Sequence, residues 1–171
     1  MTDADRPKKL LAVSSSGGHW VQLMRLRPAW DNCTVSYLTT EAAYKADVTS
    51  YAYDRGLDTP AFYTTVLASR WTKLKLLRQL IEVLYVVIRI RPDVIISTGA
   101  SLGFFAFKAG QLLGAKTIWV DSIANVEQIS LTGEKVKSCS NVWLTQWPHL
   151  AADKTGEPAT REKPEFWGSS L

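Results

Sequence analysis

The sequence predicts an α/β chain in which a parallel sheet is covered by helices on both faces. Three observations carry this. Short apolar or β-branched runs that read as strands recur at residues 10–13, 34–38, 93–97 and 116–120. Helical patterns lie between them, and two of the strands run into turns of small residues that open a helix. Alternation at this spacing implies βαβ units, hence a Rossmann-like sheet that takes its ligand outside the C-terminal ends of its strands.

The first strand leads into Ser14-Ser15-Ser16-Gly17-Gly18-His19, and a helix starts at its end. Two readings stand side by side. Backbone N–H groups at a helix N-terminus hold a phosphate or diphosphate, with the glycines allowing close approach and the serines donating further. Serines before a helix are equally common as simple N-caps. The second strand ends in Thr39-Thr40-Glu41, which offers a cap for a short helix around residues 42–46. Residues 48–69 lack a clear period and read as one or two short strands within loops, punctuated by Gly56 and Pro60.

From Arg70 to Ile90 apolar residues recur at helical spacing, and Arg91-Pro92 ends the run. Arg70, Lys73, Lys75 and Arg78 form a basic face beside Trp71. A spanning helix needs about 20 apolar residues, and Arg78, Glu82 and Arg89 interrupt this one. Two fates remain: burial against the sheet, which is the commoner, or partial immersion in a membrane surface. The strand at 93–97 then meets Thr98-Gly99-Ala100-Ser101, followed by a helix over 104–113 capped by Gly114. The strand at 116–120 ends in Asp121-Ser122-Ile123-Ala124-Asn125. A short helix at 131–138, a strand at 141–145 and a solvated connection at 151–165 complete the chain.

The three small-residue turns are expected to gather on one rim. Its carboxylates are Asp121 and Glu127, either of which could act as a base, cap a helix or pair with a lysine. His19 is placed to donate or to move a proton, whereas His149 reads as a surface residue. No lysine follows the glycines at P-loop spacing, and the opening lacks G-x-G-x-x-G.

With 171 residues, 46% of them hydrophobic and 21% charged, the composition is that of one globular domain over residues 1–171, with a C-terminal tail at about 151–171. The net charge of +4 suits an anionic lipid surface or a phosphorylated ligand, and no basic block signals nucleic acid. Cys33 and Cys139 lie far apart without metal-ligand spacing. The charged N-terminus precedes an apolar run too short for a signal peptide, so a cytosolic protein is expected.

Five blocks occur together: residues 14–19, 91–99, 119–122, 126–133 and Gln146-Trp147-Pro148. In this order they resemble the acceptor-side subunit of the two-subunit N-acetylglucosaminyltransferase of dolichol-linked oligosaccharide assembly. They also resemble its bacterial counterparts in capsular and exopolysaccharide synthesis and, more distantly, the N-terminal domain of MurG. The resemblance implies the N-terminal, acceptor-binding and membrane-associating half of a GT-B glycosyltransferase. A separate polypeptide would bind the UDP-sugar, UDP-GlcNAc or a similar hexose donor, and the two would form a heterodimer.

By that match Ser15, Gly17, Gly18 and His19 face the acceptor diphosphate, together with Thr98 and Gly99 of the second turn. Asp121, Ser122, Asn125 and Glu127 face the acceptor sugar, with Glu127 the better base. No metal or cofactor is expected. The eukaryotic relatives' N-terminal membrane anchor is not found here, so membrane contact falls to Trp71, Lys73, Lys75 and Arg78. The expected place is peripheral, on the cytoplasmic face of the inner membrane. No donor half follows Leu171, so activity is expected to need the partner. The rival reading is a non-catalytic subunit that only recruits its partner to the bilayer. A third is a free-standing nucleotide-binding protein.

Overall fold

The computed structural model describes residues 6–69, 71–152 and 162–169. Among these, strands and helices alternate as β1 (Lys9–Val13), α1 (Gly18–Arg25), β2 (Thr34–Thr39), α2 (Tyr44–Asp54), β3 (Ala61–Thr64) and α3 (Lys73–Ile90). The second half continues with β4 (Val94–Ser97), α4 (Ala100–Leu112), β5 (Lys116–Val120), α5 (Leu131–Val136) and β6 (Val142–Leu144). The strands form one sheet in the order β3-β2-β1-β4-β5-β6, with every neighbouring pair parallel. Strand order therefore reverses between β1 and β4, the point where such sheets open a crevice at their C-terminal ends.

The two faces of β1 show how the period of two builds two cores. Leu10 and Ala12 pack with Trp20, Leu23 and Met24 of α1 and Val48 of α2. Leu11 and Val13 pack with Val83 and Val87 of α3, Phe107 of α4 and Val136 of α5. The helices thus cover both faces, as the strand pattern predicts.

Helix α3 is buried along one side and exposed along the other. Gln79, Val83, Val86 and Val87 are buried on one side. Leu74, Leu77, Ile81, Tyr85 and Ile88, spaced three or four apart, leave an apolar stripe exposed on the other. No helix among the described residues is long and apolar enough to cross a membrane. The helix stops where Arg91 turns left-handed ahead of Pro92.

Several boundaries differ from expectation. α2 runs over Tyr44–Asp54 rather than 42–46, because only Val48 and Ala52 face the core and the apolar period is faint. Within 48–69 a single strand, β3, remains. α4 begins at Ala100, four residues early, since its first turn is made of the small residues that read as loop. The tail is not wholly a solvated connection: Glu165 bridges Leu144 in parallel register at the β6 edge. Arg70, the residues before Arg6 and residues 153–161 and 170–171 of the tail lie outside the described residues.

Candidate functional site

In the turn after β1 some polar groups are engaged and others are open. The serines do not cap α1, whose N-cap is Gly17 with no side-chain hydrogen bond. Ser14 Oγ donates to the Ser15 carbonyl, 2.9 Å away, and Ser15 itself is buried. Two expected donors are already engaged: Ser16 N–H donates to Thr40 Oγ1 at 3.0 Å and Gly17 N–H to the Tyr44 hydroxyl at 3.2 Å. The N–H groups of Gly18, His19 and Trp20 carry no hydrogen bond among the described residues. Those three are the open donors at the positive end of α1.

His19 is tied across the switch point to the turn after β4. Its Nδ1 lies 2.9 Å from the Thr98 carbonyl, and Thr98 Oγ1 donates to the His19 carbonyl at 2.7 Å. A carbonyl only accepts, so Nδ1 carries the proton and Nε2 is the ring nitrogen left for other work. The ring rests against Gly99, where a Cβ would fall 2.4 Å from two ring atoms. Gly99 also holds φ 151°, a conformation that side-chain-bearing residues rarely adopt. Gly99 is the N-cap of α4, again without a side-chain cap, and Ala100 follows at φ 69°. Two uncapped helix N-termini thus converge with His19 between them.

Behind this wall, Gln79 of α3 is 1% exposed on an otherwise apolar face. Its Oε1 accepts from Ser101 Oγ at 2.6 Å and its Nε2 donates to the Val66 carbonyl at 2.8 Å. A buried amide with both ends paired on different segments locks them together. Nearby, Glu82 accepts from Thr65 Oγ1, Val66 N–H and Arg78 Nε. Burial pushes its carboxyl pKa up, but these hydrogen bonds outweigh that and hold it below the ordinary value.

The loop from β5 to α5 forms the second wall. Asp121, 1% exposed, accepts from Ser130 Oγ at 2.6 Å, Ser130 N–H at 2.9 Å, Trp119 Nε1 at 3.1 Å and Asn125 Nδ2 at 3.2 Å. Ser130 in turn caps α5 by accepting from Gly133 N–H. A Cβ on Gly133 would meet Asp121 Oδ1 and Ser130 Oγ at 2.9 Å, so this knot demands glycine. Gln22 of α1 braces the loop by donating to the Asp121 carbonyl and accepting from Ile123 N–H. Trp147 Nε1 donates to the Ile123 carbonyl, and His149 Nε2 lies 2.7 Å from the Val126 carbonyl.

Between the walls opens a cavity of about 580 Å³. His19, Gly99, Ser122 and Asn125 line it, together with Ala100, Gln128 and Glu134. Gly17 and Gly18 are exposed at the rim but outside the lining. Ser15, Thr98 and Asp121 do not line the cavity. Ser15 is buried, the Thr98 hydroxyl donates to the His19 carbonyl, and the Asp121 carboxylate accepts from Ser130. Glu127 is exposed at the crown of the loop and does not line the cavity. Trp71, Lys73, Lys75 and Arg78 are exposed at the start of α3, away from the cavity lining.

Sequence reasoning missed Gln79, Gln22 and Glu134. A glutamine on an apolar helix face was the available signal for Gln79. Glu134 carried none, because an acidic residue in the first turn of a short helix is ordinary there.

A family profile described as "Oligosaccharide biosynthesis protein Alg14 like" matches residues 10–160. The UDP-N-acetylglucosamine transferase subunit ALG14 of Mus musculus is 25% identical, over 83% of this chain and 76% of the mouse protein. Among solved structures, MurG of Acinetobacter baumannii superposes with a TM-score of 0.64 at 14% identity, over 94% of this chain. UDP-N-acetylglucosamine 2-epimerase of Rickettsia bellii gives a TM-score of 0.65 at 14% identity, over 96% of this chain. The chain spans under half the length of either, 45% and 46%, and at this identity the likeness is one of fold. By the profile match across most of its length, the chain belongs to the Alg14-like family of oligosaccharide biosynthesis proteins.

Proposed function

We propose that this chain, folded as a single domain, is the acceptor-binding subunit of a two-component glycosyltransferase. It holds a polyprenyl-diphosphate-linked sugar while a second polypeptide brings a UDP-sugar, UDP-GlcNAc or a similar hexose donor. The observation that carries this reading is the convergence of the α1 and α4 N-termini on His19 at the β1/β4 switch point. Open backbone N–H groups at two helix starts suit a diphosphate without a metal. The cavity beside them has room for a sugar. The family match and the mouse relative, itself a transferase subunit by name, support the same reading.

In the transfer, an acceptor hydroxyl attacks the anomeric carbon of the donor sugar, and the bond to the UDP oxygen breaks. The hydroxyl proton needs a base. His19 Nε2 faces this task with its partner nitrogen already protonated and held by Thr98. Glu127, exposed at the loop crown, is the carboxylate that a second polypeptide closing over the cavity brings into play. Gly17 and Gly18 let the diphosphate approach the backbone, Gly99 leaves room for the His19 ring, and Ser122 and Asn125 contact the sugar.

The exposed stripe of α3, flanked by Lys73, Lys75 and Arg78 and preceded by Trp71, is the membrane-facing surface. Apolar side chains beside basic ones suit an anionic headgroup layer. Peripheral attachment to the cytoplasmic face of the inner membrane, in capsular or exopolysaccharide synthesis, follows from this reading. The deciding experiment is copurification with a candidate donor-binding partner, followed by transfer from UDP-GlcNAc to a short-chain polyprenyl-diphosphate sugar. Transfer that requires both chains supports the proposal. Undiminished turnover after replacing both His19 and Glu127, with the partner still bound, leaves a recruiter only.

A further inference from the structure

We infer that Glu134 reads the sugar of the acceptor, and that the cavity holds its ligand in one direction, diphosphate against the helix starts of α1 and α4, sugar between the His19 ring and α5. This rests on the acceptor reading above. Among the described residues lining the cavity, His19 and Glu134 are the titratable ones, and they belong to different walls. His19 stands with the two uncapped helix N-termini, where negative charge is favoured. Glu134 stands on α5, beyond the loop, and its carboxylate has no hydrogen bond or ion pair among the described residues. A diphosphate is repelled from a free carboxylate and drawn to the helix starts, which leaves the uncharged part of the ligand facing Glu134.

A carboxylate offers two acceptor oxygens, enough for two adjacent hydroxyls of a pyranose. Ile129 and Leu131 line the same wall and supply apolar surface for the C–H face of a sugar ring. The wall is also rigid. Glu134 N–H donates to the Ser130 carbonyl within the first turn of α5, and Ser130 is fixed by Asp121. The carboxylate is therefore presented from a held backbone, as a specificity contact needs.

The test titrates the full-length chain, by calorimetry or amide NMR, with farnesyl diphosphate and with farnesyl diphosphate linked to glucose, galactose or N-acetylglucosamine. At least one sugar is expected to tighten binding about tenfold over farnesyl diphosphate, as charged hydrogen bonds do. Glu134→Gln is expected to remove that gain while leaving farnesyl diphosphate binding no weaker and the melting temperature unchanged. A gain that survives in Glu134→Gln, or the lack of any gain with all three sugars, overturns the assignment and leaves the acceptor reading standing. Failure of farnesyl diphosphate itself to bind removes the acceptor reading, and this inference with it.

Discussion

The imidazole of His19 and the Cα of Gly99 touch so closely that no methyl group fits between them. Gly99→Ala is therefore expected to push the ring off Thr98 as well as to strain the backbone. A displacement of this kind costs about 100-fold in transfer rate, and the strained φ costs about 1–3 kcal/mol of stability. Thermal melting and the His19 ring signals by NMR check the two effects separately.

His19→Ala removes the proposed base without disturbing a core, since the residue is only half-buried. Transfer is expected to fall by about 10²–10⁴-fold, with partner binding intact in copurification. Thr98→Val, which keeps the carbonyl and loses the hydroxyl, is expected to give a smaller fall.

Asp121→Ala leaves the hydrogen-bond donors of Ser130, Asn125 and Trp119 without their shared acceptor. The expected loss is about 3 kcal/mol, the scale of hydrogen bonds to a buried charged group. Hydrogen exchange localises it: amides of 121–136 speed up while those of β1 and β2 do not.

Acid should weaken the fold through two named carboxyls. Asp93 is held below its ordinary value first by the Lys9 N–H, with burial opposing and Arg6 adding to the lowering. Glu82 is lowered as described above. A pKa lowered on folding adds stability above the unfolded value and loses it as pH falls through the folded one. Stability should hold above the ordinary values of 4.5 and 3.8 and decline below them. Asp93→Asn and Glu82→Gln are each expected to flatten that decline in denaturation curves taken across the acid range.

The membrane proposal separates charge from apolar contact. Neutralising Lys73, Lys75 and Arg78 should weaken flotation with anionic vesicles by a factor that shrinks as salt rises. Leu77→Asp with Ile81→Asp should abolish flotation at any salt, since both side chains lie on the exposed stripe. Unchanged flotation in both variants removes α3 as the contact surface.

The sheet was legible because its strands are short apolar runs with turn chemistry at their ends, and β1, β4 and β5 start and stop within a residue of the sequence pattern. α2 was obscured because only Val48 and Ala52 of its eleven residues are fully buried, too few to set an apolar period. The site was legible as three turns and illegible as a set of bonds. Thr98 and Asp121 have residue types suited to ligand chemistry, yet their polar atoms turn inward to hold His19 and the loop. Sequence spacing carries no sign of which way a side chain at a strand end will point. His149 illustrates the converse, an exposed residue whose ring nitrogen steadies the Val126 carbonyl across the loop.

Gln79 gives the molecule a fixed internal bearing. By joining the buried side of α3 to Ser101 in the first turn of α4, it sets the outer face of α3 at one height and one angle to the crevice. Whatever lies along that face is thereby indexed to His19, as a workpiece is indexed to a tool by a dowel pin. A long ligand anchored at one end would present its other end at a set depth, with the search for register already done by the fold.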